Sequence, residues 1–233
     1  MYLKEIDKNI WIYDGSTVNF YGFPFTTRMT VIKLSNGKLW IHSPEKIKKG
    51  LLEELKAIGE IKYLISPNKL HHIFNQEWME IFPEANCYAA PGLVEKRSDI
   101  KFNAELSTRA ESDWQMDIDQ TIIEGSPAME EVVFYHKTSK TLILTDAIEN
   151  VQPSSLSLWT RMIAKIGGVL APNGKMPLDW RLSFYLGNRD KARDSLQTIL
   201  SWDIDNIILA HGECIIGNGH EFIKKSYSWL IKT

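Results

Sequence analysis

Disulfides have little raw material in this chain: Cys87 and Cys214 are the two cysteines among 233 residues. That is too few for a stapled secreted scaffold, and the number fits a reducing compartment. Basic runs are missing as well. Nothing longer than Lys48-Lys49 or Lys224-Lys225 occurs and the formal net charge is −2, so a nucleic-acid footprint has no compositional support. No stretch approaches the ~20 apolar residues of a membrane span. The opening residues Met1 to Asp7 lack the basic-then-apolar order of an export signal, and no Asn-x-Ser/Thr acceptor is present. The expectation is a soluble, cytoplasmic protein with a small-molecule substrate, no nucleic-acid partner and no membrane partner. Common catalytic signatures are absent too. There is no Gly-x-Ser-x-Gly elbow and no phosphate-binding Gly-x-x-x-x-Gly-Lys-Ser/Thr loop. Gly217-Asn218-Gly219 begins like a dinucleotide fingerprint, but Phe222 stands where the third glycine belongs; His220-Glu221 begins like a zincin helix, but Lys224 replaces its second histidine.

What is present reads as ordinary globular material. Hydrophobic residues make up 44% and charged ones 24%, enough apolar side chain for a sizeable core, and a prior of ~150 residues per domain favours one large domain over 1–233. The runs Ile10 to Tyr13, Met29 to Leu34 and Leu39 to His42 are short and β-branched or aromatic, hence strands. Asn36-Gly37 between the last two is a hairpin signal. Leu51, Leu52, Leu55 and Ile58 recur at helical spacing and Gly59 follows as a stop. Ile61 to Ile65 predicts a strand, His72 to Phe82 a second helix closed by Pro83, and Asn86 to Ala90 another strand. Residues 93–118 read as loops with short helix. Gln120 to Glu124, Glu131 to His136 and Thr141 to Thr145 predict three strands. Residues 151–203 read as mostly helical, broken at Gly167-Gly168 and Pro172-Asn173-Gly174; Ile207 to Ala210 is a buried strand and Phe222 to Ile231 a terminal helix. This alternation argues for α/β layering. Trp159, Met162, Ile163, Ile166 and Val169 lie at near-helical spacing, as a lid, a dimer face or a core helix; the core reading is favoured because amphipathic stripes usually mean burial, and a homodimer stays open.

The chemistry-bearing residues gather at strand ends. Of six histidines, His42, His71, His72 and His211 fall at or just beyond a predicted strand, and Asp146 ends another, which is where ligands collect in layered α/β folds. Imidazole and carboxylate together suit zinc, iron or manganese, with one coordination position left for water. Each residue alone has a bland reading: a hydrogen-bonded histidine, a turn aspartate. Arg28 could hold an anionic group or simply pair with a carboxylate. His136 reads as structural and both cysteines as inert thiols.

The segments Thr27 to Val31, Leu39 to Pro44, Ser66-Pro67-Asn68 with His71-His72, Thr141 to Asp146, and Ala210 to Glu213 occur in an order that resembles the metallo-β-lactamase superfamily. The likeness is nearest to a mainly bacterial branch of it with no assigned activity. It implies an α/β fold of the αββα sandwich type. Setting the final histidine of the superfamily's His-x-His-x-Asp-His motif on His72 puts Pro67, Lys69 and His71 at the other ligand positions, and the third-motif histidine falls near Gly125-Ser126. Asp146 then matches the bridging aspartate and His211 the last histidine. One of the two metal sites thereby keeps only the bridging Asp146 and should be empty, and the other keeps His71, His72, Asp146 and His211. The resemblance implies a mononuclear centre, with zinc first and iron or manganese as alternatives, in which Asp146 is also catalytic; or no metal at all. Asn68, Lys69, Glu213, Arg28 and His42 become candidates for substrate binding or for supporting the ligands, His42 where the superfamily usually has an aspartate. Lys69 could replace part of the missing metal's charge. The implied activity is metal-assisted hydrolysis of an ester, lactone, amide or phosphoester, the alternative being a binding or structural protein that kept the fold without turnover.

Overall fold

A computed structural model describes residues 1–20 and 23–231. Its first half runs β1 (Lys4–Asp7), β2 (Ile10–Phe20), β3 (Phe23–Lys33), β4 (Lys38–His42), α1 (Lys49–Ile58), β5 (Glu60–Ser66), α2 (Asn75–Ile81), β6 (Asn86–Ala89), α3 (Leu93–Lys96) and β7 (Ala104–Glu105). The second half runs β8 (Ile118–Ile123), β9 (Glu131–His136), β10 (Thr141–Leu144), a 3-10 turn at Pro153–Ser155, α4 (Leu158–Gly167), α5 (Leu178–Ser183), α6 (Arg189–Leu200), β11 (Asn206–Leu209) and α7 (Gly219–Ser226).

Two sheets result. Strands β1 to β7 lie in sequence order, antiparallel as far as β4 and parallel from there on. The second sheet has the order β11-β10-β9-β8, with only β10 and β11 parallel. The Asn36-Gly37 hairpin forms, and of the pair Gly37 takes the positive φ of 82° that a tight turn requires. Strands β9 and β10 are buried along their whole length, because both faces of this sheet are covered. Trp40, Tyr63, Tyr88, Trp114 and Phe134 fill the space between the sheets, with Trp40 against Phe134 and Tyr88 against Trp114 each at 4.8 Å between ring centres, in the edge-on geometry that aromatic quadrupoles favour. Leu51 and Leu55 of α1 and Trp78 of α2 cover the outer face of the first sheet. Trp180 of α5, Leu196 and Ile199 of α6 and Ile223 of α7 cover the second. This is the αββα sandwich.

Three expectations need correction. The helix expected from His72 begins at Asn75, because Asn68 Oδ1 accepts from the Leu70 and His71 amides and holds the chain in a turn. The terminal helix lies at Gly219–Ser226 instead of 222–231. The core reading of the 159–169 stripe fails for four of its five residues: Val169 is buried, but α4 buries Ala164 and turns Leu158, Trp159, Met162, Ile163 and Ile166 to solvent. Its breaks do fall where expected, with Gly168 (φ 77°) capping α4 through its amide to Ala164 and Lys165. His136 is buried with Nδ1 2.7 Å from Ser139 Oγ, a structural histidine. Burial pushes the Cys87 thiol up to about 12, so it is an unreactive core residue. No helix among the described residues is long and apolar enough to cross a membrane.

Candidate metal centre

The register of the parallel strands carries several chain segments to one edge. His42 pairs with Ile65 across β4 and β5, and Leu144 with Leu209 across β10 and β11, so Ser43, the 67–72 turn, Asp146 and His211 all follow strand ends. Three side chains meet there. His71 Nε2 lies 3.3 Å from His211 Nε2 and 3.4 Å from Asp146 Oδ2, and His211 Nε2 lies 3.1 Å from Asp146 Oδ1. Among the described residues these are the His, Cys, Asp and Glu side chains grouped closely enough to share an ion.

Each is held from behind. His211 Nδ1 is 2.6 Å from the Thr26 carbonyl oxygen; a carbonyl only accepts, so Nδ1 carries the proton and a neutral ring would present a lone pair at Nε2. Ser43 Oγ sits 2.7 Å from His71 Nδ1, and Ser43 takes a positive φ of 51°, a left-handed conformation that costs a non-glycine residue energy and that recurs at functional sites. Asp146 receives Asn68 Nδ2 at 2.6 Å. The same amide reaches Glu131 Oε2 at 3.0 Å and Thr145 Oγ1 at 2.9 Å. Glu131, fully buried, accepts from the backbone amides of Thr145, Asp146 and Ala147, which fixes the turn that presents Asp146.

The electrostatics follow. Burial opposes ionisation of Asp146, but the charge and hydrogen bonds of His71 and His211 hold its carboxyl well below the usual range. Burial would lower His211; the Asp146 hydrogen bond and charge, with Glu149 behind them, raise it to about 9. Two further acids border the group. Burial lifts Glu149 to about 7 against the pull of His211. Glu45 is also raised by burial, with Thr27 and His71 opposing, and its Oε2 has no hydrogen-bond partner among the described residues. Gly15 permits this, since a Cβ there would fall 2.2 Å from that oxygen.

Of the four expected ligands, His72 is not brought in. Its Nδ1 instead accepts from Arg97 Nη1 at 3.1 Å, and burial, with the charges of Lys96 and Arg97, lowers it to about 4. Adjacent side chains diverge, and the turn that aims His71 inward sends His72 the other way. Of the two alternatives for Arg28, the structure shows the carboxylate pairing: it is mostly covered, pairs with Asp14 at 2.7 Å and donates to the carbonyls of Leu209 and Gly212, bracing the His211 loop. His42 is buried among Trp40 and Phe134 rather than bonded to a ligand ring. The Lys69 ammonium packs over Gly92, lining a cleft of about 180 Å³ with Ser126 and Glu130 instead of standing beside Asp146. Ser126 Oγ caps its own turn, accepting from the Ala128 and Met129 amides. The Glu213 side chain is exposed and its backbone pairs with Asn150. Asn68 supports the centre through Asp146. Ser43, Glu45, Glu131 and Glu149 escaped the sequence reading; the one available signal was that Ser43, Glu45 and Glu149 follow within three residues of strand-end candidates already named.

The sequence pattern described as "Domain of unknown function (DUF4336)" matches residues 7–164. The chain belongs to that family. No curated protein matches it in sequence. Solved structures do match it in shape. The DIM-1 metallo-β-lactamase superposes with a TM-score of 0.67 at 15% identity, covering 98% of this chain and 95% of that one. A metallo-β-lactamase from Pontibacter korlensis gives 0.67 at 10% identity, covering 98% and 97%. The putative diflavin flavoprotein A 5 from Nostoc sp. PCC 7120 gives 0.61 at 15% identity, covering 98% and 95%. At such identities the likeness establishes the metallo-β-lactamase fold and nothing finer.

The donor set fits a divalent ion. With ligand distances of about 2.0 to 2.2 Å, neighbouring ligand atoms of a tetrahedral site stand about 3.3 to 3.6 Å apart. The observed separations of 3.3, 3.4 and 3.1 Å are of that size, the last two running to the two different oxygens of the Asp146 carboxylate. A neutral His211 ring, with its proton on Nδ1, would bring a bare Nε2 to face the Asp146 carboxylate, a pair that a cation between them would satisfy.

Proposed function

We propose that the protein is a metal-dependent hydrolase of the metallo-β-lactamase type with a single divalent ion, zinc first and iron or manganese as alternatives, held by His71 Nε2, His211 Nε2 and Asp146. The observation that carries this reading is the convergence of His71 Nε2, His211 Nε2 and the two Asp146 carboxylate oxygens, at separations of 3.1 to 3.4 Å, from three separate strand ends. When bound, such an ion supplies Lewis acidity and lowers the pKa of water toward neutrality. The chain's own groups do the rest. Thr26 and Ser43 set the ring orientations, and Asn68 and Glu131 fix Asp146. Glu149, a buried carboxyl that burial pushes up to about 7 in the ion-free chain, is the acid placed near Asp146 and His211 to exchange a proton with the centre. The substrate is a small molecule with a hydrolysable ester, lactone, amide or phosphoester group.

A second reading rests on His211. Raised to about 9, it can balance Asp146 as an imidazolium with no ion, leaving a binding or structural protein without turnover. Elemental analysis of chelator-free protein separates the two. The hydrolase reading expects about one ion per chain, lost in His71→Ala and Asp146→Asn but kept in His72→Ala. Wild-type protein without an ion under metal-replete expression leaves the imidazolium pair as the explanation.

A further inference from the structure

Helix α4 is inside out. Leu158, Trp159, Met162, Ile163 and Ile166 recur at i, i+1, i+4, i+5 and i+8, one face of a helix, yet it is Ala164 on the other side that is buried. Leu158 is 83% exposed, Trp159 66% and Ile166 66%. Past α5 the pattern continues, because Trp180 and Phe184 enter the core while Leu182, Tyr185 and Leu186 stay outside, Leu186 at 86%. The two helices are fastened together by Arg181 Nη2 donating to the Gly167 carbonyl at 2.8 Å. An apolar surface of this extent on a folded chain marks a docking site.

Charge identifies what docks. Between residues 151 and 189 stand Arg161, Lys165, Lys175, Arg181 and Arg189 against Asp179 alone, a local balance of +4 in a chain whose total is −2. Two copies meeting through this face would set like charges together. An anionic surface would not, and an apolar helix face with an exposed tryptophan, the exposed Lys165 and the half-buried Arg161, Lys175, Arg181 and Arg189 in the same segment suits the headgroup layer of a bilayer. We propose that the α4–α5 face is a peripheral docking surface for an anionic lipid bilayer. The expectation of no membrane partner rested on the lack of a spanning segment, which does not bear on a helix lying in the interface. The docking segment is anchored to the body by the Glu149 amide donating to the Lys175 carbonyl and the Asn188 amide donating to the Gly125 carbonyl, and Val151 bridges Leu170 within it. The face is therefore presented as a rigid unit.

Co-sedimentation of the full chain with phosphatidylcholine vesicles, with and without phosphatidylserine at about a 7:3 ratio, tests this. Binding is expected to the anionic vesicles only, and to fall as salt is raised. Lys165→Gln should weaken partitioning about fivefold, and Trp159→Ser with Leu186→Ser should abolish it while far-UV circular dichroism and a cooperative thermal unfolding transition are retained. The proposal is overturned by absence of binding to anionic vesicles, by equal binding to neutral ones, or by variants that partition like wild type. It is equally overturned by a dimer in sedimentation equilibrium that Trp159→Ser dissociates, which would make a second copy the occupant.

Discussion

Acid should destabilise this protein through His42, and the size of the effect follows from its surroundings. The ring stacks on Trp40 with centroids 5.6 Å apart, meets the edge of Phe134 at 5.5 Å, and leaves its buried Nε2 without a partner among the described residues. Burial, with a smaller contribution from the charge of His71, lowers it from 6.5 to about 3. The unfolded chain therefore binds a proton that the folded chain refuses. Stability is full above 6.5 and falls as pH drops toward 3. At about pH 5 the unfolded imidazole is protonated some 1.5 units below its pKa and the folded one is still neutral, so His42 alone removes about 2 kcal/mol relative to about pH 8. His42→Phe keeps the ring contacts and removes the titration. Urea midpoints at both pH values, for both proteins, give the double difference, in which His72 and His136 cancel. An equal pH dependence in wild type and variant would mean that folded His42 takes up its proton and that the burial argument is wrong.

Asn68→Ala should lower stability by about 3 kcal/mol in urea unfolding, because it strips the donor shared by two buried carboxylates, Glu131 and Asp146, together with the acceptor of the Leu70 and His71 amides. Its bound-metal content should fall as well. Arg28→Met should lower the thermal midpoint, at a cost of about 2 kcal/mol, by freeing the carbonyls of Leu209 and Gly212. If a substrate is found, the KM of that variant should not respond to substrate charge. Gly212→Ala should cost about 2 kcal/mol or more, since φ is +90° and a Cβ would fall 2.1 Å from the Asn150 carbonyl; metal analysis should show the ion lost with the displaced His211.

Much of the layered architecture can be read from local pattern. The runs around Ile10, Val31, Trp40, Ile65, Phe134, Ile143 and Ile208 alternate or persist as only strands do; Gly37 and Gly168 mark a turn and a stop through their positive φ, and Gly59 ends α1 in extended backbone where a Cβ would fall 2.5 Å from the Gly37 carbonyl oxygen. His211 and Asp146 are legible for the same reason: a strand delivers the next polar residue to the sheet edge. His71 and His72 are not separable in that way. Which of two neighbouring rings enters the centre depends on the Asn68 side chain, and that amide is positioned by Glu131 and Thr145, 63 and 77 residues further along.

Composition and periodicity by themselves determined that this chain folds into α/β layers and that its histidines and Asp146 crowd the ends of strands. Only the tertiary structure decided that three of those groups converge while His72 turns to Arg97, and that Glu45, Glu131 and Glu149 surround them as buried acids. It alone decided, too, that the apolar stripe of α4 faces outward. A helical period says that one face is apolar and is silent on its direction, because direction is set by where the rest of the chain offers a surface, and α4 meets that surface through Ala164.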